Sequence, residues 1–479
     1  MNRWVVGVLL GMTLAASGQN YAPSREKVPM VAREFRGAWV ACVYNIDWPS
    51  SKGLSGSAQR GQLIAILDRM ASLNMNAVIF QVRPHGDAVY RSSIEPWSPW
   101  LTGTMGKSPG YDPLEFCIAE AHKRGIEVHA WFNPFRALSN ASMPVSSNHI
   151  TKTHPSLIRR FKNYKWMDPS VSTSRQRALS VMLDVVRRYD VDGLHIDDYF
   201  YPYPDVKNGV ATPTFPDGKS PSQRRSAVDG FVKDMYQGVK KAKPWVRVGI
   251  SPFGIWRPGV PQGTEAGIDA CEHLAADSRK WLKNGWCDYM SPQLYWRIKG
   301  PQSYTSLLTW WRRQGSRPVW PGIATSRIKS TDDPGRPASE IVNQVEYSRT
   351  IGRNYAGHVH WSAKALMTSR GGISATLQKS KYQEPALVPP MPWLSKKAPG
   401  TPGISAGKSG SGVGLRWSRV AGAAKYAVQA RYGKRWTLVK VVPGNLGSLR
   451  LSGAPDAIAV SAVDRYGNTS APAVVGRVR

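Results

Sequence analysis

The chain has 479 residues, too many for one small domain and enough for a large barrel with an accessory module. Nineteen Trp and nineteen Tyr against ten Phe exceed what core packing asks for, so many rings are expected to line a groove rather than fill an interior. A formal net charge of +32 predicts attraction to polyanions. There is no zinc-finger spacing, aromatic RNA-binding signature or compact basic helix, so no nucleic-acid partner is expected.

Residues 1–18 read as a secretory signal: Asn2-Arg3, an apolar run from Trp4 to Ala16, then small residues. That run is shorter than the roughly 20 residues a membrane span needs, and no cysteine follows it for lipid attachment. The mature chain is therefore expected outside the cytoplasm, periplasmic or extracellular and associated with the cell envelope, with no integral span. Its four cysteines, Cys42, Cys117, Cys271 and Cys287, form no CxxC pair, which speaks against zinc and redox chemistry. Cys271 and Cys287 either pair in that compartment or remain buried thiols.

Within residues 30–382, eight apolar strand-like runs alternate with helical patterning. The runs are 36–43, 76–84, 127–134, 193–199, 247–254, 289–296, 318–325 and 357–364. Segments 58–73, 113–124, 174–189, 223–242 and 277–284 between them carry apolar residues at helical spacing. Eight alternations predict an α/β chain built on a (β/α)8 barrel, with a doubly wound sheet as the rival.

The fourth run ends in VDGLHIDDYFYPYP, residues 191–204. Strand alternation sends His195 and Asp197 to one side and Leu194 and Ile196 to the other. Two adjacent carboxylates, Asp197 and Asp198, are followed by Tyr199, Phe200, Tyr201 and Tyr203, and prolines at 202 and 204 end regular pairing. At the C-terminal mouth of a parallel barrel, acids within an aromatic collar suit the cleavage of a sugar.

The other strand ends add groups of the same kind. The first is followed by Tyr44, Asn45, Asp47 and Trp48, the second by Gln81, Arg83, His85 and Asp87, and the third by Trp131, Asn133 and Arg136. The fifth supplies Ser251 and Trp256, the sixth Gln293, Tyr295 and Trp296, and the eighth His360 and Trp361. Arginine suits carboxylates, amides suit sugar hydroxyl and acetamido groups, and indoles suit the flat faces of sugars. Any one of them alone fits packing or capping; their convergence on one face is what points to substrate.

Residues 383–402 carry Pro385, Pro389, Pro390, Pro392, Pro399 and Pro402 and read as a linker. Residues 403–479 read as short strands separated by Gly, Asn and Ser turns, a small all-β sandwich. The run AVSAVDRYGNTSAP (459–472) resembles a fibronectin type III domain, with Trp417 as its core tryptophan.

The barrel segment resembles the glycosyl hydrolase-like 10 family of bacterial envelope proteins. The resemblance is carried by RGAWVACVYNIDWP (36–49), FQVRPHGDAVY (80–90), PGYDPLEFCIAEAHKRGIEVHAWFNPFR (109–136), VDGLHIDDYFYP (191–202), ADSRKWLKNGWCDYMSPQLYW (276–296) and HWSAK (360–364). It implies a TIM-barrel glycosidase acting on anionic, amino-sugar cell-wall glycan, namely peptidoglycan strands stripped of stem peptides. The run from Gly193 to Asp197 is also similar to the fourth strand of amylase-type barrels, where the acid at the Asp197 position is the nucleophile.

Asp197 and Asp198 are the candidate catalytic residues. The candidate substrate-binding residues are Trp48, Gln81, Arg83, Asp87, Trp131, Asn133, Arg136, Tyr199, Tyr201, Trp256, Gln293, Tyr295, Trp296 and Trp361. The competing reading pairs Asp197 with Arg83 or Arg136 and gives it no chemistry. For a second carboxyl, Asp87 and Glu95 are candidates to reach over the groove, Asp47 is weaker, and Asp277 suits a helix cap better. Substrate-assisted hydrolysis is also open: one acid of the pair would orient an acetamido group while the other protonates the leaving oxygen. His195 suits the barrel interior better than a metal site, and no metal or cofactor is expected. A barrel that binds glycan without cleaving it is the alternative function.

Overall fold

Strand alternation governs the core. The computed structural model describes residues 21–478, so the expected signal at 1–18 lies outside the described residues. Eight strands, β1 (Phe35–Val40), β2 (Ala77–Arg83), β3 (Glu127–Phe132), β4 (Gly193–Ile196), β5 (Arg247–Ile250), β6 (Tyr289–Met290), β7 (Gly322–Ile323) and β8 (Gly357–His360), pair in the order β6-β5-β4-β3-β2-β1-β8-β7. The paired strands run parallel. Parallel bridges Met290–Val319 and Gln293–Gly322 join the two ends and close the ring. The chain therefore folds as a TIM barrel, each strand at one of the eight runs read from the sequence.

Leu194 and Ile196 face outward into the layer between strands and helices. They share it with Val181 and Val185 of helix Ser172–Arg188 and Val228 and Val232 of helix Pro221–Ala242. The second of these helices starts on a capping box, Ser220 with Gln223, followed by Pro221 at its first position. Inside the barrel, Phe35, Trp39, Ile79, Trp131, Tyr289, Trp320 and Val359 form a separate core. Rings this large fit because facing positions are glycine. A Cβ on Gly249 would lie 2.0 Å from the Tyr289 ring, and one on Gly193 2.4 Å from His129. His195 sits in this interior, 2.9 Å from Tyr289 Oη and 2.9 Å from Ser251 Oγ.

The C-terminal chain forms a two-sheet sandwich. Strands β9 (Ile404–Ser409), β10 (Gly412–Trp417) and β13 (Ser448–Ser452) make a three-stranded sheet. Strands β11 (Ala423–Tyr432), β12 (Arg435–Pro443), β14 (Ala457–Asp464) and β15 (Ala473–Arg477) make the other, and Trp417 is buried between the two. An N-terminal strand, Tyr21–Pro23, adds to the edge of β15 and buries Tyr21 in the sandwich core. The chain thus enters through the sandwich before it reaches the barrel, a feature too short to show a pattern in sequence.

The proline-rich stretch at 383–402 is not a free tether. Ala386, Leu387, Val388 and Met391 are buried. Leu387 exchanges backbone hydrogen bonds with Ala32 and Glu34, and Met391 donates to Tyr466. The sandwich sits against the N-terminal end of the barrel. Lys425 Nζ lies 3.2 Å from Glu127, Arg465 Nη1 2.7 Å from Asp190, and the Gly125 turn rests on the Val441 carbonyl. All four cysteines are buried free thiols, so Cys271 and Cys287 are unpaired.

Candidate active site

The adjacent acids Asp197 and Asp198 follow β4 at the C-terminal mouth and are nearly covered, at 2 % and 5 % exposure. Their surroundings differ. Asp197 Oδ2 accepts from Trp131 Nε1 at 3.0 Å and Asn133 Nδ2 at 3.4 Å, while no hydrogen-bond partner among the described residues reaches Oδ1. Burial, and next the charge of Asp198, push the Asp197 carboxyl up to about 7; Arg136 and the Trp131 bond oppose this. Asp198 is also raised by burial, but the Tyr203 hydroxyl and the Gln293 amide hold its ionised form. Two like residues in sequence thus acquire different proton affinities, as an acid and a carboxylate working together require.

Rings surround the pair. Trp361 lies edge-on to Trp131 at 6.2 Å and tilted against Tyr295 at 6.4 Å. Tyr199, Tyr203, Phe253 and Trp296 follow one another at 5.7, 6.3 and 5.7 Å between centroids. The Arg136 guanidinium lies 4.5 Å over the Tyr199 ring. Of the residues singled out from sequence, the structure therefore brings together Asp197, Asp198, Trp131, Asn133, Arg136, Tyr199, Gln293, Tyr295, Trp296 and Trp361.

Six others are placed elsewhere. Trp48 is fully buried behind the strands against Phe80 and donates to the Gln59 carbonyl. Gln81 Oε1 accepts from the amides of Cys42 and Val43 and so clamps the loop after β1. Arg83 is spent on Glu95, at 2.6 and 2.8 Å, and on the carbonyls of Asn133 and Pro134. Asp87 has no exposed surface and accepts from the His85 amide; burial lifts it to about 6. Tyr201 packs on Phe215 and donates to Asp217. Trp256 stacks on Trp310, has the guanidinium groups of Arg257 and Arg279 within 5.3 Å of its ring centroid, and bonds Asp277. In each case the chain has left strand geometry, or a partner far along the sequence has claimed the group, so alternation no longer sets its direction.

The acids weighed as second carboxyls are likewise engaged. Glu95 belongs to Arg83, and Asp47 accepts from Ala41 N, Ser362 Oγ and Lys364 N. Asp277 caps the helix Ser278–Lys283, the role its sequence position suits. Tyr203, which holds Asp198, stands in the aromatic run of the sequence with nothing there to mark its bond to the acid. The ion-pair reading of Asp197 loses Arg83 to Glu95 but keeps Arg136 as a neighbouring charge. Among the described residues, no group of three or more His, Cys, Asp or Glu is placed to hold a metal, and no helix is long and apolar enough to cross a membrane.

The glycosyl hydrolase-like 10 model matches residues 34–332. A glycosyl hydrolase, YngK, of Bacillus subtilis is 40% identical over 396 residues, 78% of this chain and 76% of that protein. A glycosyl hydrolase, DigH, of Escherichia coli is 34% identical over 320 residues, 60% of this chain and 73% of that protein. Among solved structures, the PgaB (BpsB) glycoside hydrolase domain from Bordetella bronchiseptica superposes with a TM-score of 0.46 at 12% identity, covering 73% of this chain and 98% of that one. With the matched segment spanning all of β1 to β7 and the acid pair after β4, the chain belongs to the glycosyl hydrolase-like 10 family and is a glycoside hydrolase.

Proposed function

We propose that this glycoside hydrolase cleaves the amino-sugar backbone of bacterial cell-wall glycan, peptidoglycan strands lacking stem peptides, and works outside the cytoplasm. The observation that carries the chemistry is the split environment of the acid pair. Asp197, lifted to about 7 and with Oδ1 unengaged, is the general acid that protonates the leaving oxygen. Asp198, held by Tyr203 and Gln293, is the carboxylate that orients an acetamido group and stabilises positive charge at the anomeric carbon. Adjacency favours this division over a separate nucleophile, because Glu95 and Asp47 are held by other groups, Asp277 caps a helix, and Asp87 has no exposed surface.

The anionic partner is supported by where the charge lies. Residues 403–479 hold twelve Lys and Arg against two Asp. Arg435, Arg465 and Lys425 pair with acids on the rest of the chain. On the three-stranded sheet, Lys408, Arg416 and Arg450 have no carboxylate partner among the described residues. Cross-strand rows Ser405–Arg416–Ser448 and Gly407–Gly414–Arg450 alternate with the buried Ala406, Leu415 and Leu451. A flat basic face of Gly, Ser and Arg suits a carboxylate-bearing polymer. The strand order of the sandwich supports the fibronectin type III-like reading of this region.

The test is release of new reducing ends from purified glycan strands with their peptides removed, beside intact sacculi. Wild-type release on stripped strands that vanishes in Asp197→Asn is the expected result. No release from stripped strands by folded wild-type protein overturns the reading.

A further inference from the structure

A second feature of the mouth plays no part in the division of labour between the acids. Behind the loop after β1 lies a groove of about 680 Å³ lined by Tyr44, Lys52, Trp100, Met105, Met143 and Val145, among others. Tyr44 stands at its edge, 55 % exposed in a chain that buries most of its large rings. It is held there at some conformational expense. Tyr44 and Asn45 both adopt left-handed backbone, with φ of 54° and 53°, a region that side-chain-bearing residues rarely enter. The surroundings fix this shape. Asn45 Nδ2 donates to the Pro49 and Trp100 carbonyls at 2.9 and 3.0 Å, the Tyr44 hydroxyl bonds Ser139, and its ring lies 4.9 Å from that of Trp100. A strained turn pinned from several sides in order to expose an aromatic ring is a mark of a working surface rather than of packing.

The groove lies on the same C-terminal face as the acids, built from the loops after β1, β2 and β3. Tyr44 contacts His85 at 6.1 Å between centroids, Arg136 Nε bonds the carbonyl of Pro84 at 3.5 Å, and Arg136 covers Tyr199 and faces Asp197. A polymer that crosses the acids can extend over this face toward Tyr44. We propose that this groove is a distal subsite for further sugar units of the same glycan strand, with Tyr44 as the stacking platform, so that the enzyme cuts within chains and favours long ones. The inference rests on the glycosidase reading given above. The apolar wall of Met105, Met143 and Val145 suits the methyl groups of N-acetyl and lactyl substituents, and Lys52 at the rim suits the lactyl carboxylate. The occupant is thus an N-acetylated amino sugar that carries a carboxylate.

The experiment compares kcat/KM on peptide-free glycan strands of four sugars and of eight or more, for wild type, Tyr44→Ala, Tyr44→Phe and Lys52→Ala. Binding of the long strands to each substitution in the Asp197→Asn background is measured alongside. Wild type is expected to favour the long strands at least about tenfold. Tyr44→Ala should abolish most of that preference through KM and raise Kd about tenfold, the effect of one stacked ring. Tyr44→Phe should keep the preference. Lys52→Ala should weaken binding of these strands but not of chitin oligosaccharides, which lack the carboxylate. A Tyr44→Ala protein that melts like wild type and keeps the long-to-short ratio overturns the subsite. Tyr44-dependent binding of long strands without any cleavage by wild type would instead sink the hydrolytic reading and leave the groove standing.

Discussion

Asp197→Asn separates catalysis from stability in a way that an ion pair does not. The carboxyl sits at about 7 in the folded chain against an ordinary value of 3.8, a rise of about three units. At about 1.36 kcal/mol per unit, this is about 4 kcal/mol of folded-state cost once the group is ionised. The sign follows from linkage. Between the unfolded and folded values the native state holds a proton that the unfolded chain has released, so stability falls as pH rises toward 7 and levels off above it. Asparagine removes the charge and can still accept from Trp131 and Asn133. Its amide hydrogens take the place of Oδ1, which has no partner, at a cost of about 1–3 kcal/mol. The variant should therefore be more stable than wild type by about 1–3 kcal/mol at pH 8, a rise of a few degrees in Tm. At pH 4 wild-type Asp197 is protonated, so the advantage should disappear or reverse. Glycan cleavage should fall at least about 10²-fold. Calorimetry at the two pH values beside a reducing-end assay checks both parts. A variant that melts below wild type at pH 8 would show Asp197 to be half of an ion pair with Arg136, and the argument fails.

The remaining expectations bear on the residues around the acids and on the second module. Arg83→Ala leaves Glu95 buried without its partner and should cost about 3–5 kcal/mol in urea unfolding; the double replacement Arg83→Met with Glu95→Leu should recover much of it. Tyr203→Phe removes a bond that favours ionised Asp198, so the acidic limb of the kcat/KM profile should move to higher pH, while the alkaline limb near 7, set by Asp197, stays. Arg416→Ser with Arg450→Ser should weaken cosedimentation with purified sacculi at low salt and flatten its salt dependence, since exposed charges are screened beyond about 10 Å at 0.1 M salt. A chain ending at residue 402 should melt below the intact protein in calorimetry, because it uncovers Leu387 and takes Lys425 from Glu127.

The barrel was legible because its signal is repeated. Each of the eight runs carries its own alternation, and one pattern, His195 and Asp197 inward with Leu194 and Ile196 outward, places the acids without any contact being known. The rule ends with the strand. Trp48 and Tyr201 follow turns that rotate the chain, so Trp48 packs behind the strands and Tyr201 packs within the loop after β4, although the sequence groups them with residues of the mouth. Arg83 was misread for another reason. Its position is right, but Glu95 returns to it across a loop, and an arginine bonded to a carboxylate and two carbonyls has little left for a sugar. The proline-rich stretch showed composition but not packing. Prolines end helices and strands, yet the surfaces that bury Leu387 and Met391 come from residues near 32 and 466. Tyr44 was visible as a strand-end aromatic; its exposure depends on left-handed backbone that no pattern signals.

The sandwich lies at the end of the barrel opposite the acids, and the barrel interior offers a physical route between the two. Lys425 of the sandwich reaches Glu127 at 3.2 Å, and Glu127 lies 3.3 Å from His129 Nε2. His129 Nδ1 meets Tyr289 Oη at 2.8 Å, Tyr289 Oη meets His195 Nδ1 at 2.9 Å, and His195 Nε2 meets Ser251 Oγ at 2.9 Å. This polar column runs through an interior otherwise filled with rings, passes through His195 on β4, the strand that leads into Asp197, and ends on Ser251 after β5. Burial would push the Glu127 carboxyl up, yet Lys425, His129 and Arg247 together hold it well below the usual range. A buried chain of this kind is stable only while every member is satisfied. Without the sandwich Glu127 loses its lysine, and the orientation of His195, two residues before Asp197, loses part of its support. The module that presents a basic sheet face therefore also completes the floor on which the catalytic strand rests, which is a structural reason for the two to travel in one chain.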